Sequence, residues 1–307
     1  MPQTYAGNAT QQKTFYNRTL LSRLLPKLVF MQHGQKKPIP KHEGSTVNFR
    51  RFNSLAIAST PLVEGVTPAE ANPTIAVVNA TVQGYGNYVF ITDFLDMVGI
   101  DPVVTEWMEV MGENAAETLD TVIRDVVAAG TNVLYVGGGP ARINVAAANI
   151  IDGVSIRTAR KIMARNNVKP LDGNAYIGFV HPDTSFDIMG DSAWINANQY
   201  AGSTKIFEGE LGRLHGIRFI ETTLAPVFAG LGAGGCDVYG SLVIGKDAYG
   251  VPDIAGSSKP ESIVKSLGSA GTSDPLNQRS SVGYKAYLAT VRLQELAILR
   301  IEHAVSV

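Results

Sequence analysis

The residues with the chemistry for catalysis are few and scattered. Five histidines, His33, His42, His181, His215 and His303, share no H-x-x-x-H or H-E-x-x-H spacing, so no local metal-ligand set forms, and all five read as structural or surface residues. His181, Pro182 and Asp183 make an HPD turn after an apolar run. A catalytic histidine can sit in such a place, but the ordinary use of the turn is an aspartate that caps the next segment. The only cysteine, Cys236, stands among glycines; it excludes an intramolecular disulfide and lacks the context of a nucleophile. No G-x-S-x-G elbow is present. Thr131 to Arg142, TNVLYVGGGPAR, places an apolar run before three glycines, the outline of a phosphate loop. Within this stretch neither G-x-G-x-x-G nor G-x-x-x-x-G-K-[ST] is present, and Pro140 removes an amide that would hold a phosphate. The glycines are expected to form a hinge between two lobes. No cofactor and no metal is expected.

Charged groups cluster in two places. Glu106, Glu109, Glu113 and Glu117 recur at helical spacing; paired carboxylates do acid–base work, but on an exposed helix face they read as solvated charges. Arg157, Arg160, Lys161 and Arg165 share one face of a helix expected over Ser155 to Asn167, opposite Ile156, Ala159 and Met163, and no acid lies between Gly153 and Leu171. A solvated face is the first reading, and contact with an acidic neighbour or nucleic acid the second. No aromatic residues interleave to stack bases.

The element that must position these groups is Asp101 to Gly130, DPVVTEWMEVMGENAAETLDTVIRDVVAAG, expected as one amphipathic helix roughly 40 Å long. Asp101 suits the N-cap, Pro102 the first helical position, and Gly130 a left-handed terminator. Val104, Trp107, Met108, Met111, Ala115, Leu119, Val122, Ile123 and Val126 form the apolar stripe, while Glu106, Glu109, Glu113, Glu117, Asp120, Arg124 and Asp125 lie on the wet side. Upstream, residues 1–12 read as a polar arm and Lys13 to Leu25 as a short helix stopped by Pro26. Thr46 to Phe52 and Ile75 to Thr92 have strand character. The connection between them exceeds 20 residues and carries Leu55, Ile57, Leu62, Val63 and Val66. It is expected to project as a flap or as an arm with something to lie against. Downstream, Ala175 to Val180, Gly209 to Glu221 and Tyr239 to Gly245 read as strands and Asp253 to Pro275 as a surface loop. The closing GYKAYLATVRLQELAILRIEHA is helical by composition, with strand alternation in its first half.

At 307 residues, 45% of them hydrophobic, the chain buries a sizeable core and its length suggests about two domains. A net charge of −1 from 26 basic and 27 acidic residues gives no global field toward nucleic acid or an acidic membrane. No window reaches the ~18 apolar residues of a membrane span, and MPQTYAGNATQQ does not resemble a secretion signal.

Eight stretches, in order, resemble a known family: KKPIP at Lys36 to Pro40, NFRRF at Asn48 to Phe52, TPLVEGVTP at Thr60 to Pro68, TVQGYGNYVFITD at Thr81 to Asp93, DPV at Asp101, AGTNVLYVGG at Ala129 to Gly138, GELGRLHGIRFIET at Gly209 to Thr222, and DPLNQRSSVGYKA at Asp274 to Ala286. In this the sequence resembles the major capsid proteins of tailed bacteriophages over nearly its whole length. The resemblance implies an α+β fold of the tailed-phage and herpesvirus type. Its parts would be an N-terminal arm (1–42), an extended two-stranded loop (43–90), a peripheral domain with a spine helix (91–140), an axial domain (141–251), and a surface loop with a final strand returning to the peripheral domain (252–307). It implies a structural, non-enzymatic subunit of an icosahedral shell around double-stranded DNA, assembled in the host cytoplasm and resident in the virion. Its partners would be its own copies as hexamers and pentamers, then portal, scaffold or decoration proteins, and packaged DNA through the inner surface without sequence specificity, with no membrane contact. Subunit-interface candidates are Arg50, Arg51, Leu62, Val63, Glu64, Val66, Glu106, Glu109, Glu113, Arg157 and Arg160. The rival readings are a compartment-forming shell protein of the same fold and an α/β enzyme with a flap.

Overall fold

The computed structural model describes residue 20 and residues 28–39, 44–53, 55–98, 103–192, 194–195, 212–254, 260–269 and 274–306. The expected helix of Lys13 to Leu25 therefore lies, apart from Leu20, outside the described residues, as do His42 and the Asp101 cap with Pro102.

The elements in chain order are α1 (Phe30–His33), β1 (Gln35–Ile39), β2 (Thr46–Phe52), β3 (Ile75–Thr81), β4 (Gln83–Thr92), α2 (Asp93–Val98), α3 (Val103–Ala128), β5 (Val133–Tyr135), α4 (Gly153–Arg165), β6 (Tyr176–Val180) and α5 (Pro182–Gly190). They continue with β7 (Arg213–Leu214), β8 (Ile217–Glu221), β9 (Val227–Phe228), β10 (Val238–Ile244), β11 (Tyr249–Ile254), β12 (Glu261–Lys265), β13 (Arg279–Leu288), β14 (Val291–Arg292) and β15 (Ile298–His303). Met108, Met111, Ala115, Leu119, Ile123 and Val127 of α3 recur every three or four residues and are all buried, and that face packs on β4, β13 and α1. Glycine at 112 lets Leu20 approach, since a Cβ there would meet the Leu20 carbonyl oxygen at 2.7 Å.

Three expectations for α3 are corrected. Trp107 is 37% exposed, off the buried stripe, and Asp120 is fully buried. Gly130 does not adopt a left-handed conformation. A Cβ at Gly130 would instead lie 2.9 Å from Glu295 Oε1, the carboxylate that accepts from the Thr131 N–H. Glycine is needed there for close approach.

Four sheets surround the helices. β4 pairs along its whole length with β13, which pairs on its other edge with β12. The larger, seven-stranded sheet runs β5-β15-β10-β6-β8-β7, with β9 also on β10; β15 lies between β5, parallel, and β10, antiparallel. β1, β11 and β14 make a third sheet, and β2 pairs only with β3 as an antiparallel ribbon. The expected single run from Ile75 to Thr92 is thus two strands in different sheets, divided at Val82, whose N–H donates to the Ser45 carbonyl.

The surface loop expected over Asp253 to Pro275 contains β12, an edge strand. The expected closing helix is the strand β15, buried at five of its six positions. Hydrogen bonds from both neighbouring strands outweigh the helix preference of its Leu, Arg and Glu. His181, rather than Asp183, caps α5: its Nδ1 accepts from the Asp183 N–H, with Pro182 at the first turn. The expected glycine hinge is a packed corner. Gly137 has φ 94°, the Gly138 N–H donates to the Tyr135 carbonyl, and a Cβ on Gly137 would strike the Asn149 amide at 2.2 Å.

Candidate functional site: exposed surfaces and the cluster that frames them

The β2–β3 ribbon is held at its base and open beyond. Val47, Phe49 and Ala80 are buried with Ile39 and Ala289, whereas Arg50 and Arg51 point outward. Past Phe52 the described residues run without helix or strand to Thr74. Ile57 is 91% exposed and Leu62 78%, and Leu55, Val63 and Val66 are likewise exposed, as is Glu64. Isolated surface leucines are ordinary, but five large exposed aliphatics on one segment are not.

The other sequence candidates lie on separate faces. Glu106 is exposed, and Glu109 and Glu113 are half-buried, each engaged in a polar or charge interaction. Arg157 and Arg160 are exposed on α4; Arg157 Nε donates back to the Gly153 carbonyl at 3.3 Å. With burial, the charges of Arg157 and Arg160 push the His215 pKa down. His215 and Gly216 both have positive φ, 49° and 81°, in the two-residue turn between β7 and β8, as a type I′ hairpin demands. The structure brings the arm candidates together and leaves the helix acids and the α4 cations apart from them.

Sequence reasoning missed the buried charges that fix this framework. Glu302, with a fully buried side chain, accepts from Arg142 Nε at 2.7 Å and Nη2 at 2.8 Å, and from Arg300 Nε at 2.7 Å. Burial alone would raise its pKa, but the Arg142 hydrogen bonds and the charges of Arg300 and Arg142 outweigh that and hold it below its usual value. Arg300 also donates to the Ala128 and Gly130 carbonyls, and Arg292 to that of Val126. Two cations therefore sit on the negative end of α3. Arg142 stacks 3.4 Å above the Phe228 ring centroid. The chain-local signal for this was faint: one Glu between two apolar runs, R-I-E-H.

Asp120 is the second hidden anchor. It accepts from the N–H groups of Val29, Phe30 and Met31 at 2.6, 3.2 and 3.2 Å; burial raises its pKa, and these three bonds oppose the rise. His303 is the third. Its Nδ1 lies 2.8 Å from the Ala304 carbonyl, which only accepts, so Nδ1 carries the proton and the bare Nε2 accepts from Ser241 Oγ at 2.9 Å. Cys236 Sγ donates to the Val145 carbonyl. No cluster of three or more His, Cys, Asp or Glu with metal-site geometry occurs among the described residues, and no described helix is long and apolar enough to cross a membrane.

A body cross-braced by buried ion pairs thus carries an aliphatic arm whose large side chains stay exposed. The chain belongs to the phage capsid protein family, whose model matches residues 75–301. No curated protein matches the sequence significantly. Among solved structures, the capsid of Cyanophage P-SCSP1u superposes with TM-score 0.68 at 16% identity, covering 91% of this chain and 89% of that one. The capsid of Ralstonia phage GP4 gives 0.68 at 14%, covering 89% and 87%, and that of Cyanophage Pam1 gives 0.66 at 17%, covering 93% and 92%. The fold is that of the tailed-phage major capsid proteins, and the protein is a shell-forming structural subunit.

Proposed function

We propose that the chain assembles with its own copies, as hexamers and pentamers, into an icosahedral head that encloses double-stranded DNA, and that this assembly takes place in the host cytoplasm. The observation that carries this reading is the arm: five exposed aliphatic residues on a segment longer than 20 residues, rooted in the two-stranded ribbon of β2 and β3. A neighbouring copy is the surface that would cover them, and repeating that heterologous contact closes a ring. Arg50, Arg51, Leu62, Val63, Glu64 and Val66 would lie at that contact, with Glu106, Glu109, Glu113, Arg157 and Arg160 at others. Residues 1–42 would serve as an arm, 43–90 as the extended loop, 91–140 as a peripheral domain and 141–251 as an axial domain. The packing of β13 on α3 supports assigning residues 252–307 partly to the peripheral domain. Portal, scaffold or decoration proteins would bind the assembled shell, and DNA would meet its inner surface without base reading. Sedimentation and negative-stain microscopy of the purified chain test this: particles are expected, and deleting residues 55–72 should leave folded subunits that no longer form them. Persistent monomers of the intact chain under assembly conditions would sink the reading.

A further inference from the structure

Two further surfaces are complementary and lie at opposite ends of α3. The first is α2. Every side chain after Asp93 in this short helix is exposed, Phe94 by 72% and Met97 by 82%, although the sequence around the helix is apolar. Its acids are Asp93 and Asp96. The second is a groove of about 1020 Å³ between the outer end of β2, Arg51 to Asn53, and the loops around β14, with Val126 and Ala129 at the C-terminal end of α3 in its wall. Its rim carries Arg51, Lys169, Lys246 and Arg292, set against Asp247 and Glu295, and its apolar floor includes Phe52 and Leu296. Glu295 is taken up by Arg292 at 3.2 Å. The Lys246 N–H donates to the Lys169 carbonyl, so two exposed lysines stand side by side, and neither has an ion-pair partner among the described residues.

Placement makes the complementarity useful. β13 begins at Arg279, paired with Thr92 beside α2, and ends at Leu288, two residues before the groove wall starts at Thr290. The 26-residue helix α3 runs in the same sense, so roughly 40 Å separates the two surfaces. An acidic, apolar knob and a basic, apolar groove at opposite ends of one rigid body cannot meet within a subunit. Between subunits they fit head to tail, the heterologous arrangement that closes rings.

We propose that α2 of one copy seats in the groove of the next, with Asp96 facing Lys246 and Lys169, and Phe94 and Met97 covering the Phe52–Leu296 floor. This rests on the shell reading and gives it a second contact, which shares Arg51 and Phe52 with the outer end of the ribbon. Charge pairing at the rim of such a contact sets register and partner choice.

The test uses Asp96→Lys and Lys246→Glu in the full chain. Each alone should lower the particle fraction in sedimentation at least tenfold, while circular dichroism melting of the subunits stays at the unaltered value. Mixing the two variants in equal amounts should restore association into even-membered rings such as hexamers, where they can alternate and each offers the charge the other's opposite end requires. A folding defect cannot be repaired by mixing. The chain carrying both changes should also assemble, and Met97→Cys with Lys246→Cys should crosslink between subunits on oxidation. Assembly of either single variant at the unaltered level, or no recovery on mixing, overturns the α2 contact while leaving the shell reading intact. Failure of the unaltered chain to form particles overturns both.

Discussion

The Val29 backbone N–H donates to the Asp120 carboxylate at 2.6 Å, inside the body and 91 residues away in sequence. Phe30 and Met31 add their N–H groups at 3.2 Å each, so one side chain of α3 fixes the whole entry into α1. Asp120→Ala would orphan three donors in a dry site and is expected to cost about 3 kcal/mol or more. Asp120→Asn keeps one acceptor oxygen and should cost roughly half as much. Denaturant midpoints of unassembled subunits measure both.

The Glu302 cluster should behave unequally when cut. Arg142→Met removes a bidentate pair but leaves Arg300 on the carboxylate, for an expected loss of roughly 2 kcal/mol. Glu302→Ala leaves two cations facing each other and should cost about 3–5 kcal/mol. A double-mutant cycle between Arg142 and Glu302, read by urea unfolding, should return a coupling of about 1–3 kcal/mol; additivity would show that Arg300 alone holds the glutamate.

Acid should weaken the subunit in two stages. Burial pushes the His303 pKa down from 6.5 to about 4, against its carbonyl hydrogen bond and the Asp187 charge, which act upward. Its contribution is complete above about pH 6.5 and fades as pH falls through about 4, a loss of roughly 3 kcal/mol. Glu302, held below its usual value, adds a further loss below about pH 4.5. Asp120, with its raised pKa, acts in the opposite sense: its share is present at acid pH and declines as pH rises. His303→Gln should flatten the dependence of the urea midpoint between pH 6.5 and 4.

Neighbouring glycines in the corner after β5 should differ. At Gly138, φ is 78° and a Cβ would meet open space, so Gly138→Ala costs only the left-handed strain, about 1 kcal/mol. At Gly137 the same strain is joined by the Asn149 amide at 2.2 Å. Gly137→Ala should cost at least 2 kcal/mol more, and Asn149→Ala should recover part of that difference; equal melting temperatures for the two glycine variants would contradict the packed corner.

The long helix, the ribbon and the strands β6, β8 and β10 were legible because periodicity is a local property and their neighbours agree with it. The exposure of Leu55, Ile57, Leu62, Val63 and Val66 was also legible, since no local partner in the sequence could bury them. What escaped was decided at long range. Asp120 looks like one more acid on a wet helix face until the Val29–Met31 amides arrive from the other end of the domain. β15 carries helix-favouring residues and becomes a strand only because β5 and β10 take up both of its edges. Nothing near Glu302 announces that its partner Arg142 lies 160 residues upstream.

The cap of α3 carries a timing consequence. Arg300, which donates to the Ala128 carbonyl, follows it by 172 residues, and β15 is the strand that joins β5 to the rest of the large sheet. A ribosome releasing residues at about 5–20 per second needs roughly 10–30 seconds to cover that interval. Until β15 docks, the α3 end lacks its Arg300 contacts and β5 is separated from the rest of the large sheet, so one late strand completes both features at once.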